Sequence, residues 1–118
     1  MVVHFTYHQV QRNSQLDKIT QANVQKLEKL LARFSPDLVH LHGVVEFNSA
    51  HHNPVCSLNL SLPTGQLHAR EERGTVITAL QACFSHLIEQ LKKHKRALRR
   101  EELWRRRRAR SQSAAERS

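Results

Sequence analysis

The sequence predicts an α+β domain of order β-α-β-β-β-α, a four-stranded sheet with two helices packed on one face. Three observations predict it. Four short segments alternate apolar and polar residues as half-buried strands do, two longer segments carry apolar residues at helical spacing, and turn or cap residues separate them. A chain of 118 residues, 39% hydrophobic, suits one small domain with a single core.

Val2 to Tyr7 is the first strand, with Val3, Phe5 and Tyr7 on one face and Val2, His4 and Thr6 on the other. Asn13-Ser14 offers an N-cap with Asp17 as the acid of a capping-box-like start, and Leu16, Ile19, Leu27, Leu30, Leu31 and Phe34 carry a helix to about Arg33. Ser35-Pro36 stops it, because proline has no N–H and disfavours helical geometry in the residue before it. From Leu38 to Phe47, Val39, Leu41, Val45 and Phe47 alternate with His40, His42, Val44 and Glu46, and a polar loop follows from Asn48 to Pro54. Cys56, Leu58, Leu60 and Leu62 form one face of the third strand. Pro63-Thr64-Gly65 is turn chemistry leading into a fourth strand, Gln66 to Arg70, so strands two to four make an antiparallel meander.

Thr75 can cap a second helix whose stripe is Val76, Leu80, Cys83, Phe84, Leu87, Ile88 and Leu91. Neither proline nor glycine follows, so this helix can continue to Arg100 and on toward Arg108 while its stripe thins to Leu98 and Leu103-Trp104. The expected organisation is a domain over residues 1–100 and a basic, partly disordered tail over residues 101–118, with Ser111 to Ser118 small and polar.

Charge gives the first functional signal. Residues 1–91 hold seven Lys/Arg and seven Asp/Glu, so the whole net charge of +9 lies beyond Leu91, where 12 Lys/Arg face three Glu. Such a segment attracts a polyanion, with binding that weakens as salt rises. On a helix, Lys92, Arg96 and Arg99 share a face and Lys93 and Arg100 lie seven apart beside them, a ridge able to neutralise several phosphates without reading bases. The plainer reading is a solvated helix end, which the scarcity of acids here disfavours. Acidic lipid is disfavoured too, because the ridge lacks an opposing apolar face. Arg105 to Arg108 and Arg110 beside Trp104 could bind RNA by stacking and charge, or form a basic tail without fixed contacts. Lys26, Lys29 and Arg33 could form a second phosphate-binding edge, or a solvated helix face.

Other chemistries find little support. Cys56 and Cys83 stand within apolar patterns at no metal-like spacing and read as buried reduced thiols, which fits a cytoplasmic protein. No long apolar run suggests a membrane span or a leader. His51-His52 with His40 and His42 invite a metal reading but lack a recognised ligand spacing, so surface histidines are expected. Three glycines build no phosphate cradle, no nucleophile and base pair is apparent, and Glu71-Glu72 between Arg70 and Arg73 reads as an ion-paired strand end. The expectation is a non-enzyme with no cofactor, metal or small-molecule substrate.

The segment Gln90-Leu91-Lys92-Lys93-His94-Lys95-Arg96-Ala97-Leu98 resembles the end of the last helix in ribosome hibernation-promoting factors and ribosome-associated inhibitor proteins. Further similarity lies in Gln66 to Glu72, in Ile77 to Leu91 and in Leu27-Glu28-Lys29, covering about residues 2–100, and the chain resembles the short members. It departs from the family pattern at Tyr7, where glycine is usual, at Ser14, where proline is frequent, and at Asn23, where a basic residue is common. The resemblance implies a factor that lodges on the small ribosomal subunit against its ribosomal RNA, blocks the messenger and transfer RNA sites, and is monomeric off the ribosome. It assigns RNA contact to Lys92, Lys93, Lys95, Arg96 and Arg99, with Lys29, Arg70 and Arg100 as further candidates. A general double-stranded RNA-binding module, a metal-dependent enzyme at His51-His52 and a protein that pairs ribosomes into inactive dimers are the competing readings.

Overall fold

The computed structural model describes the backbone of residues 1–116 and the side chains of residues 1–109. Its elements are β1 (Val2–His8), α1 (Ser14–Leu30), a short 3-10 turn (Pro36–Leu38), β2 (His40–Asn48), β3 (Asn53–Leu62), β4 (Gly65–Glu72) and α2 (Val76–Glu116). The strands form one sheet in the order β1-β2-β3-β4. β1 runs parallel to β2, as a connection through α1 allows, and β2-β3-β4 is the antiparallel meander that the turn residues predict. The protein is an α+β fold of order β-α-β-β-β-α.

Alternation decides which face each strand buries. Leu41 and Val45 of β2, Cys56, Leu58, Leu60 and Leu62 of β3 and Ala69 of β4 face the helices and are buried. Leu16, Leu27 and Leu31 meet them from the α1 side, and Ala79, Leu80, Cys83, Phe84, Leu87 and Leu91 meet them from α2. Ala79 is buried although the apolar stripe read from the sequence passes it by, because a small side chain there lets α2 approach the sheet. Two apolar residues on the same strand faces stand at the rim of the core: Val3 is 39% exposed on the edge strand and Phe47 is 38% exposed near the end of β2, beside the His52 ring.

The ends of α1 differ from expectation in an instructive way. Asn13 is the N-cap, its side-chain oxygen accepting from the Leu16 amide at 2.9 Å, while Asp17 pairs with Arg12 at 2.7 Å instead of closing a capping box. That carboxylate holds the Arg12 guanidinium above its already high ordinary value, through the hydrogen bond first and charge second. The helix ends at Leu30, short of Arg33; the Leu31 amide still bonds back to Leu27 and Glu28, and the chain turns over Phe34 into the 3-10 turn. At α2 the expected cap is present, with the Thr78 amide donating to Thr75 Oγ1 at 3.2 Å.

β3 begins at Asn53, so the polar loop predicted for Asn48 to Pro54 shrinks to a tight turn in which His52 has a φ of 55°. The expected tail, residues 101–118, continues α2 as far as Glu116, and residues 117–118 lie outside the described residues. Among the described residues no helix is long and apolar enough to cross a membrane.

Candidate nucleic-acid interface

α2 is held on the sheet by its apolar stripe, and the stripe runs out before the helix does. Leu91 is fully buried, Leu98 only half-buried, and Leu103 and Trp104 are 55% and 60% exposed. The basic residues therefore emerge where the helix leaves the core, on a rigid element whose direction the core sets.

One basic residue is built into the fold. Lys95, half-buried, donates from Nζ to the main-chain oxygen of Leu30 at 2.7 Å. That carbonyl ends α1, where unpaired carbonyls and the helix dipole concentrate negative charge, so an ammonium there is stabilising. Lys92, Lys95, Arg96 and Arg99 line one groove with Leu30, and the outer three are exposed. Lys93 and Arg100 are exposed further round the same helix, and Lys29 is exposed in the last turn of α1, next in sequence to the groove's Leu30. Among the described residues Lys92, Lys93, Arg96, Arg99 and Arg100 make no ion pair, which leaves their charge free for an external anion.

Beyond Arg100, Glu101, Trp104, Arg105 and Arg108 line a second shallow groove, while Arg106 is paired with Glu102 at 2.9 Å. An exposed indole among guanidinium groups can stack a base while the arginines meet phosphates.

Two predicted positions fall elsewhere. Arg70 is on β4, aligned with Ser57 on the face of the sheet turned away from the helices, so it does not join the ridge. Arg33 lies past the end of α1, which removes it from the helical side carrying Lys26 and Lys29. Asn23, which stands where a basic residue is common in the resembling family, donates back to the Ile19 carbonyl at 2.9 Å. The tie between Lys95 and Leu30 joins residues 65 apart in sequence, and no local pattern announces it.

The histidines and acids resolve into local contacts. His51 and Asn48 meet the Glu72 carboxylate at 3.1 and 3.2 Å, His94 meets Thr64 at 2.9 Å, and Glu71 pairs with Arg73 at 2.8 Å and with His86 at 3.3 Å. Among the described residues no three His, Cys, Asp or Glu side chains converge as a metal site would require.

Comparison with known proteins follows the same lines. No curated protein matches the sequence. Two solved structures share the fold: a ribosomal subunit interface protein from Coxiella burnetii, 23% identical with a TM-score of 0.59, and the N-terminal domain of Protein Y from Thermus thermophilus, 14% identical with a TM-score of 0.64. Each match covers 80% of this chain and, respectively, 98% and 99% of the other. The profile of the family described as sigma 54 modulation protein / S30EA ribosomal protein matches residues 3–99, from β1 to Arg99 of the ridge. The chain belongs to that family of ribosome-associated factors.

Proposed function

We propose that this protein silences translation by occupying the small ribosomal subunit, with the ridge of α2 against ribosomal RNA and the body of the domain across the messenger and transfer RNA sites. The observation that carries the reading is the unpaired ridge of Lys92, Lys93, Arg96, Arg99 and Arg100, fixed to the domain by the bond from Lys95 to Leu30. Family membership supplies the ribosome as partner. Cations on a rigid rod recognise folded RNA by shape and phosphate contact, so the mechanism is occupancy and calls on no catalytic group or cofactor. In this reading residues 1–100 form the binding domain, residues 101–118 add a basic arm, and the protein works as a cytoplasmic monomer until it meets the ribosome.

Co-sedimentation of the full chain with separated small and large subunits at two salt concentrations tests the proposal. Saturable, salt-sensitive binding to the small subunit near one-to-one is the expected result. Equal binding to both subunits and to a free RNA duplex would instead favour a general double-stranded RNA-binding module.

A further inference from the structure

The face of the sheet turned away from the helices carries histidines that the basic helix does not explain. His4, His42, Asn59 and His68 align in one row across all four strands. The rings of His4 and His42 stack with centroids 5.3 Å apart and planes 14° apart, and His68 Nδ1 lies 2.7 Å from Asn59 Oδ1. The flanking rows add His40 on one side and Arg70 on the other, and His8 stands in the outermost row with Glu46 and Glu72. All five histidines and Arg70 are exposed.

The charge of this face depends on protons. β1 contributes His4 and His8, β2 contributes His40, His42 and Glu46, β3 contributes no charged group, and β4 contributes His68, Arg70 and Glu72. With neutral imidazoles Arg70 faces two carboxylates, and Glu72 is already engaged by His51 and Asn48. Histidine as a residue type changes charge between about pH 5 and 8, so protonation turns the same face strongly cationic. The His4 and His42 rings stand side by side on neighbouring strands, which run about 4.8 Å apart, and an imidazolium carries two N–H groups that can donate. Apart from a few valines the face is polar, which does not suit an apolar partner.

We propose that this open face is a second RNA-binding surface, on which His4, His42, His68 and Arg70 hold backbone phosphates when the imidazoles are protonated. It lies on the side of the sheet opposite α2 and does not depend on the small-subunit reading. RNA is favoured as occupant because protonated imidazoles and a guanidinium on a flat polar surface complement a chain of phosphates.

The test is fluorescence anisotropy of a short labelled single-stranded RNA with the full chain at about pH 6 and about pH 7.5, at constant ionic strength. The expected gain at the lower pH is about fivefold or more, the lower end of ordinary coupling between two ligands. The triple variant His4→Gln, His42→Gln, His68→Gln loses that gain and keeps its affinity at the higher pH. A His86→Gln, His94→Gln control keeps the gain, as does a charge reversal of the ridge on a weaker baseline. A triple variant that retains the gain, or a control or ridge variant that abolishes it, overturns the proposal. Equal competition by polyglutamate overturns the choice of RNA in favour of an acidic protein. Should the triple variant fail to fold, ring-proton spectra of the unaltered protein decide: RNA added at about pH 6 must shift His4, His42 and His68.

Discussion

The ammonium of Lys95 is bonded at 2.7 Å to the carbonyl oxygen of Leu30, so a residue of the basic ridge also ties α2 to the end of α1. Replacing Lys95 with Met keeps the apolar stem and removes the donor. Charged hydrogen bonds contribute about 1.5–3 kcal/mol, and partial exposure of this one puts the expected loss near 1 kcal/mol. Lys92→Met, at an exposed position, leaves stability within about 0.5 kcal/mol. Urea denaturation of the two variants distinguishes a positioning lysine from a free one; equal midpoints would refute the distinction.

The ridge itself is tested by Lys92→Glu, Lys93→Glu and Arg96→Glu together. All three side chains are exposed and lie off the apolar stripe, so the fold survives. Each phosphate contact contributes about 0.9 to the slope of log affinity against log salt on a duplex, and somewhat less on a single strand. Losing three contacts therefore lowers the slope by about two to three units, and affinity for small subunits falls steeply. A variant whose slope matches the parent would show that these residues do not touch RNA.

The succession of strands and helices along the chain was legible because period-two and period-3.6 patterns report burial directly, as in Cys56-Leu58-Leu60-Leu62 and Leu80-Phe84-Leu87-Leu91, whereas the parallel pairing of β1 with β2 has no such local signal. The ridge was legible as a charge run because nothing apolar competes with it beyond Leu91. What escaped is set by tertiary contact. The carbonyl of Leu30, where α1 ends, is met by Lys95, a partner 65 residues away. The resemblance names Arg70 beside the basic residues of α2 as an RNA contact, and only the register of β4 shows that it lies on the opposite face of the sheet. The histidine row exists only once four strands are aligned, since His4, His42 and His68 are far apart in sequence.

Gly43 in β2 faces the core at the point where the Phe5 ring crosses over it. A Cβ at Gly43 would stand 2.6 Å from Phe5 Cζ and 2.7 Å from Cδ1, distances that force the ring to move. Phe5 in turn stacks against Phe84 of α2, with centroids 6.1 Å apart, so displacement reaches the centre of the core. Gly43→Ala is expected to cost about 1–3 kcal/mol by overpacking. Pairing it with Phe5→Leu should recover part of that loss; a double variant with fully additive losses would contradict the contact.

Leu58 and Leu87 are fully buried, on β3 and α2. Truncating either to Ala removes apolar surface and leaves a cavity that the sheet and helix cannot close, for an expected loss of about 2–5 kcal/mol each. Chemical denaturation measures both, and a loss below about 1 kcal/mol in either would place that residue outside the core.

Cys56 and Cys83 bring β3 and α2 together inside the core, with Cys83 Sγ 3.3 Å from the Cys56 carbonyl oxygen. The Cys83 thiol beside it, and then burial, push the Cys56 thiol above its ordinary value of 9.0. The folded protein thus keeps a proton that the unfolded chain releases. Its contribution to stability is complete below about pH 9 and is lost as pH rises past that value, by up to about 1.4 kcal/mol per pH unit. The difference between the parent and Cys56→Ala isolates this thiol. The parent should lose more stability between pH 8 and pH 10 than the variant does, and parallel losses would rule out the shift. A disulfide reagent at pH 8 gives the independent check: both thiols stay silent in the folded chain and react once urea unfolds it, because reaction requires an accessible thiolate.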